Sequence, residues 1–256
     1  MPEPSLRELL EVATEAALAG GRRTLEYFNT GVAVELKADR TPVTRADRES
    51  EAIIREVIGK RYPTHAILGE EQGETAGSAP VRWIVDPLDG TKSFVQGVPL
   101  YGTLVGVEVR GEPSVGVIYL PALDEIVAAA SGEGCQWNGR PARVSTVTDL
   151  AQALVCCSDE RHARERSGAY LDLAGRTRLQ RTWGDCYAYV LVATGRAEVA
   201  VDPMMNLWDC AALAPIIREA GGHFTDWQGR DTIHAPEAVA TNAALHAAVI
   251  DVLRTG

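Results

Sequence analysis

Trp83-Ile84-Val85-Asp86-Pro87-Leu88-Asp89-Gly90-Thr91-Lys92-Ser93-Phe94 is the stretch on which the reading of this chain turns. The run Trp83-Ile84-Val85 is short, apolar and followed by turn residues, so it reads as the end of a buried strand. Pro87 fixes its own φ and moves Asp86 away from the helical region. Gly90 allows a sharp turn or a close backbone approach to a ligand. Two carboxylates three residues apart at the mouth of a strand repel each other unless something positive lies between them. That layout suits a divalent metal, although the pair taken alone fits a structural turn equally well.

Working outward, residues 5 to 28 carry apolar positions at helical spacing, with a capping box expected from Ser5 and Glu8. Val32, Val34 and Leu36 alternate as in a strand, and the turn Asp39-Arg40-Thr41-Pro42 leads to a second short strand. A helix is predicted from Thr44 to about Arg61, ending before Pro63. Ala66-Ile67-Leu68 is a short apolar run delivering Gly69-Glu70-Glu71, and 75 to 80 reads as a polar loop. Strands over Gly102 to Val109, Ser114 to Leu120 and Asp124 to Ala130 form an antiparallel meander. Beyond Gly132 comes a short pair around Asn138-Gly139. Strands at Ala153 to Cys157, 178 to 182, Glu198 to Val201, His223 to Thr225 and Val239-Ala240 then alternate with helices at 159 to 174, from Gly184-Asp185 to Thr194, from Leu207 to Ala220, and from Ala243 to Leu253. The expectation is an α+β fold in one compact unit over 1–256. It has an N-terminal α+β half with an antiparallel sheet (1–132) and a C-terminal α/β half (133–256).

Composition excludes several classes. The formal net charge of −10 leaves no basic surface for nucleic acid or anionic membrane. Glu3, Glu8, Glu11 and Glu15 make the start of the chain unlike a signal or transit peptide, and no apolar run approaches the ~18 residues of a membrane span. The five cysteines form no CxxC pair, which fits reduced, mostly buried thiols and a cytoplasmic location. The histidines lack metal-ligand spacing.

The chemistry-bearing residues are Glu70, Asp86, Asp89 and the distant Asp209. Singly, each has a plain reading: Asp209 as a helix cap, Glu70 with Glu71 as a solvated turn. Together they carry −4, and a phosphate monoester adds about −2. Such a gathering needs cations, and all-oxygen ligands favour Mg²⁺, two or three per site, with Mn²⁺ as a substitute. Two neighbouring metals can activate water and stabilise a leaving oxygen. The Gly90 and Thr91 amides open a short helix where phosphate oxygens can bind. Asp47, near the start of the second helix, is a candidate base with Thr91 orienting the water; its plain reading is a first-turn carboxylate.

These residues resemble a known family. Gly69-Glu70-Glu71, the DPLDGT stretch at 86 to 91 and WDCAALAPIIREAGG at 208 to 222 are similar, in this order, to the inositol monophosphatase superfamily of Mg²⁺-dependent, lithium-sensitive phosphatases. The resemblance covers nearly the whole chain. It implies a layered αβαβα sandwich and a homodimer. It also implies metal ligation by Glu70, Asp86, the Leu88 carbonyl, Asp89 and Asp209, water activation by Asp47 and Thr91, and phosphate binding by Gly90 and Thr91. Lys37 falls where the family often has a basic residue near the site; an exposed lysine at a strand end is the simpler reading.

Within the family, Lys92-Ser93, Tyr101-Gly102-Thr103-Leu104 and Gly184-Asp185-Cys186-Tyr187 resemble the histidinol-phosphatase branch. Asp202, seven residues before Asp209, lies where the superfamily commonly has a substrate-contacting acid. The expected partner is therefore a small-molecule phosphate ester, with Asp185 and Asp202 pairing with the cation of histidinol phosphate. Both acids also have structural readings, as a helix cap and a turn residue. The alternatives are an inositol-1-phosphatase, a broad sugar or nucleotide phosphatase, or a non-catalytic partner of the transcription machinery.

Overall fold

The computed structural model describes residues 3–255. Helix α1 (Leu6–Leu25) starts on the capping box formed by Ser5 and Glu8. Strands β1 (Val34–Leu36) and β2 (Pro42–Thr44) pair as a small antiparallel hairpin. Thr44 then caps α2 (Arg45–Arg61). Next come β3 (Ala66–Gly69), β4 (Gly73–Thr75), β5 (Val81–Asp89), the short α3 (Thr91–Val95), β6 (Gly102–Val109), β7 (Glu112–Leu120), β8 (Glu125–Ala130), β9 (Gly134–Trp137) and β10 (Arg140–Pro141). These eight strands form one sheet in the order β10-β9-β8-β7-β6-β5-β3-β4, antiparallel throughout except for the parallel pair β3 and β5.

The remainder builds a second sheet. It consists of β11 (Leu154–Cys157), α4 (Glu160–Arg166), α5 (Ala169–Arg176), β12 (Leu179–Arg181), α6 (Asp185–Ala193), β13 (Val199–Asp202), α7 (Leu207–Cys210), α8 (Leu213–Glu219), β14 (His223–Thr225), β15 (Ala238–Thr241) and α9 (His246–Arg254). Its order is β12-β11-β13-β15-β14, with β11 parallel to both neighbours and β15 antiparallel to both of its own.

Strand periodicity sorts the side chains into layers, because successive residues face opposite sides. On the first sheet Trp83, Val85, Val105, Val107, Val115 and Val117 pack with Leu9, Val12, Ile54 and Ile58 of α1 and α2. Their neighbours Ile84, Leu104 and Ile118 face the other way. They join Tyr189, Val190, Leu213, Ile216 and Ile217 of α6 and α8, along with Cys156, Ala200 and Ala240 of the second sheet. Val155, Val199, Val201 and Val239 face outward, against Leu173 of α5 and Val249 and Val252 of α9. The result is the expected helix, sheet, helix, sheet, helix sandwich.

Local differences from the sequence reading have physical causes. Residues 159 to 174 hold two helices, with Ser167-Gly168 between them. The helix expected over 207 to 220 divides at Ala211-Ala212. Pro215 has no N–H for the carbonyl four residues back, and its ring crowds that turn. The loop at 75 to 80 begins one residue late, since Thr75 still pairs with Ile67. Among the described residues no helix is long and apolar enough to cross a membrane. All five cysteines are buried and unpaired.

Candidate metal centre and substrate cleft

The first sheet positions its acids by an irregularity in β5. Asp86 pairs with Leu104 and Asp89 with Gly102, so three steps along β5 match two along β6. Residues three apart on a regular strand point to opposite faces; one extra residue brings them to the same face. The bulge is held in place. The Pro87 carbonyl accepts hydrogen bonds from Ser50 Oγ (3.1 Å) and Thr103 Oγ1 (2.9 Å), both fully buried. Leu88 N donates to Asp86 Oδ1 at 3.0 Å, closing a local Asx turn. Gly90 follows at φ 84°, a left-handed conformation that turns the chain into α3.

Asp209 arrives from the other half. It is the third residue of α7, and Asn206 N donates to its Oδ2 at 2.6 Å. The capping reading of Asp209 thus describes one oxygen. Carboxylate oxygens of Asp86, Asp89 and Asp209 all lie within 4.8 Å of one another. Glu70, just beyond β3, lines the same cleft of about 180 Å³, together with Leu88, Gly90, Thr91, Lys92, Asp185 and Asn206. Lys37 is not a free strand-end lysine: its Nζ lies 2.7 Å from Glu70 Oε1 and also bonds Glu71.

The turn carrying Glu70 is braced by a residue that sequence reasoning missed. Glu51 of α2 is fully buried and accepts hydrogen bonds from Glu71 N (2.7 Å), Gln72 N (3.1 Å) and Arg55 Nε (2.7 Å). In sequence it looks like half of an exposed i,i+4 ion pair with Arg55. Only the tertiary fold shows that both of its oxygens grip the turn.

Electrostatics identifies what the cleft lacks. Burial, and then the charge on Glu70, Asp89 and Asp209, pushes Asp86 far above the ordinary carboxylate range. Burial, and then Asp185 and Asp209, does the same to Asp89. Burial moves Asp209 up to about 7 and raises Glu70, against the pull of Lys37. Lys37 itself is held above its usual value: burial works against its charge, and its bonds to Glu70 and Glu71 prevail. Lys37 and Lys92 together cannot neutralise this many acids. The oxygen-only donor set fits hard divalent cations such as Mg²⁺.

Asp47 and Thr91, 44 residues apart in sequence, meet here. Asp47 Oδ2 caps α2 by accepting from Thr44 N (2.7 Å) and Thr44 Oγ1 (2.6 Å). This leaves Oδ1 to receive Thr91 Oγ1 at 3.2 Å. Thr91 Oγ1 also lies 3.1 Å from the Leu88 carbonyl. Burial raises the pKa of Asp47, offset in part by its bonds to Thr44 and Thr91.

Asp185 and Asp202 come together from the second half. Parallel strands β11 and β13 end side by side, so Ser158 and Asp202 share one edge of the sheet, the usual side for ligands in open α/β sheets. Ser158 donates from both its amide (3.0 Å) and its hydroxyl to Asp202 Oδ1. Asp185 opens α6 at φ 52°, a sparsely populated conformation for a residue with a side chain. Gly184 before it is required by close approach, since a Cβ there would lie 2.1 Å from Ser158 Cα. The amide of Cys186 donates to Asp89 Oδ2, tying α6 to the metal cleft. A cavity of about 90 Å³ is lined by Asp89, Ser158, Asp185, Tyr189, Asp202, Met204 and Asp209, among others. Burial and the Asp202 charge move Asp185 up to about 6, and burial raises Asp202. A wider hollow of about 590 Å³ opens beyond Lys92, Met204, Met205 and Asn206.

Comparison with known proteins places this arrangement. The sequence profile of the Inositol monophosphatase family matches residues 5–255. The chain is 41% identical over 251 residues to a histidinol-phosphatase of Chlorobaculum parvum, covering 96% of this chain and 97% of that one. It is 32% identical over 232 residues to the Nus factor SuhB of Escherichia coli K12, covering 88% and 87%. The solved structure of an inositol monophosphatase from Anabaena superposes with a TM-score of 0.85 at 31% identity, covering 98% of this chain and 96% of that one. The chain belongs to the inositol monophosphatase family of metal-dependent phosphatases, and within it resembles the histidinol-phosphatase branch.

Proposed function

We propose that the protein is a Mg²⁺-dependent histidinol-phosphatase, releasing L-histidinol and phosphate in histidine biosynthesis. The observation that carries the substrate assignment is the placing of Asp185 and Asp202 in one cavity that borders the Asp86, Asp89 and Asp209 cluster. Histidinol phosphate carries an amine next to the carbon bearing its ester oxygen, and a cation there suits a doubly acidic cavity opening from the metal cleft. The hollow beyond Met204 and Met205 has room for the imidazole. The names of the C. parvum, Mycobacterium tuberculosis and Streptomyces coelicolor relatives support the same reading. A homodimer working in the cytoplasm completes it.

Glu70, Asp86, the Leu88 carbonyl, Asp89 and Asp209 would hold the metal ions. Bound there, such ions would polarise the phosphate and make a water acidic enough to give up a proton. The chain does the rest. Gly90 and Thr91 present backbone N–H groups to phosphate oxygens at the start of α3. Thr91 Oγ1 has one hydrogen; donated to Asp47 Oδ1, it leaves lone pairs to receive a proton from the attacking water. As that proton moves to Thr91, the threonine's own passes to Asp47. Asp47 is suited to this because its other oxygen is locked by Thr44 and burial has raised its basicity. No covalent enzyme intermediate is involved.

The test is kcat/KM for histidinol phosphate against inositol 1-phosphate under the same Mg²⁺. A clear excess for histidinol phosphate is expected, and a clear excess for inositol phosphate would refute the assignment in favour of an inositol or broader phosphatase. The likeness to a Nus factor supports a second reading, partnership with the transcription machinery. Asp86→Asn separates the two: a cellular role that survives loss of hydrolysis would be a binding role.

A further inference from the structure

Tyr189 lies in the middle of α6, and its ring is fully buried, 6.1 Å from Phe224 at a tilt of 47°. Its hydroxyl is buried as well; the Asp202 carboxylate is close enough to interact with it, but among the described residues no group meets it at normal hydrogen-bond geometry. A buried hydroxyl left unsatisfied is costly, and native structures rarely keep one without a reason. Tyr189 lines the same cavity as Asp185 and Asp202. Asp202 is similarly incomplete: among the described residues both of its bonds of normal geometry, from Ser158 N and Ser158 Oγ, go to Oδ1, and the Tyr189 hydroxyl is the further group near enough to interact with it. Among the described residues, the one side-chain hydrogen bond to Asp185 is a long contact of 3.5 Å from Ser93 Oγ.

We infer that Tyr189 is a specificity-determining residue, its hydroxyl completing with Asp185 and Asp202 a three-acceptor seat for the primary ammonium of the substrate. The inference rests on the amino-alcohol reading above and deepens it. An ammonium group has three N–H donors and no acceptor. Tyr189, Asp185 and Asp202 each keep acceptor capacity that no bond of normal geometry among the described residues uses, and two of the three are carboxylates. The match covers both number and charge. A hydroxyl of a neutral polyol brings a single donor and leaves two buried carboxylates uncompensated. The tyrosine gives the third contact without adding a third negative charge, because burial and the neighbouring Asp202 keep its phenol protonated. Its own hydrogen can then turn to Asp202 Oδ2 while its lone pair faces the ammonium. The seat lies against Asp89 and Asp209, as it must for an amine one carbon away from the ester carbon.

The experiment compares two substrates, histidinol phosphate and the phosphate ester of 3-(imidazol-4-yl)propan-1-ol, which differs by lacking the amine. The readout is the ratio of their kcat/KM values, measured in the unsubstituted protein and in Tyr189→Phe. Phenylalanine keeps the ring and its packing, and a melting curve on the same sample checks the fold. The ratio is expected to fall about tenfold, the size typical of one hydrogen bond to a charged group. A ratio that stays the same, whatever happens to the absolute rates, overturns the inference. Should Tyr189→Phe melt early, Tyr189→Met provides the same ratio from a second apolar replacement. The two proposals fail separately. Preference of the unsubstituted protein for inositol phosphate would sink the histidinol assignment, whereas an unchanged amine ratio on replacing Tyr189 would sink only the seat.

Discussion

The two ends of the cleft are built differently. At the reaction end the groups that brace the metal ligands are spoken for. Pro87 O receives two hydroxyls, Asp47 is bonded on both oxygens, and Glu51 takes three donors. At the selection end Tyr189 Oη has no partner of normal hydrogen-bond geometry among the described residues, and Asp202 takes both of its good bonds on one oxygen. Phosphate and metal geometry is the same for every ester, so those groups profit from being preorganised. Contacts to the alcohol are worth most when only the right alcohol completes them, because an incorrect one leaves buried polar groups unpaired.

The sharpest break of this comparison is Asp86→Asn. Removing one member of the cluster within 4.8 Å should cut Mg²⁺-dependent kcat about a thousandfold or more, while the far-ultraviolet circular dichroism stays native. Activity within tenfold of the original would mean that the tied end is not the reaction end. Asp47→Asn should cost about a hundredfold in kcat, in the range of lost general-base catalysis. It should also flatten the acidic limb of the pH–rate profile, because activity rises with pH as Asp47 loses its proton and burial has moved that limb upward. A limb that persists unchanged in the variant would assign it to another group.

Glu51→Gln probes whether tying matters without touching the metal. Gln can accept from one amide but loses the charge that holds Glu71 N, Gln72 N and Arg55 together. Weakening of Mg²⁺ affinity by about tenfold, read by titrating activity, is expected from loss of such an outer contact. An unaltered titration would make Glu51 purely a folding residue.

A smaller effect spans both ends. Asp209 at about 7 and Asp185 at about 6 both lie above the ordinary aspartate value of 3.8. Between those values the folded chain keeps protons that the unfolded chain has released, so the metal-free protein should lose stability as pH rises from about 4 to 7. The melting temperature in chelator should drop by a few degrees over that window, and Mg²⁺ should reverse most of the drop. A melting temperature that climbed with pH would contradict the carboxylate crowding. The smallest effect concerns the thiols. Burial pushes Cys135, Cys156 and Cys157 up to about 12, so none of the three should react with a thiol reagent at pH 7 without denaturant.

Much of this was legible in the residues themselves, because local signals carry it. The capping pairs Ser5 with Glu8 and Thr44 with Asp47 mark both N-terminal helices, and alternation marks the meander. The acids at Glu70, Asp86, Asp89 and Asp209 were visible as types; their convergence was not, since Asp209 reaches the others only through the packing of α7 on β5. The meeting of Asp47 and Thr91 was likewise a guess from resemblance until the fold joined them. Glu51 and Tyr189 were invisible for opposite reasons. Glu51 sits in a charged helix and reads as surface, whereas Tyr189 sits in Asp185–Ala193, an almost wholly apolar helix, and reads as core. In each case one atom departs from the pattern that its neighbours set.

The bulge in β5 also makes the spacing of Asp86 and Asp89 a matter of parity. A strand counts in twos, and here the count has been shifted once. Deleting either residue between the two acids would restore a regular ladder with both carboxylates still on one face, but it would abolish the bulge whose Pro87 carbonyl is held by Ser50 and Thr103 and so alter how the acids are spaced. Length and bulge therefore change together in this stretch, whereas a substitution between the acids leaves the ladder count as it is.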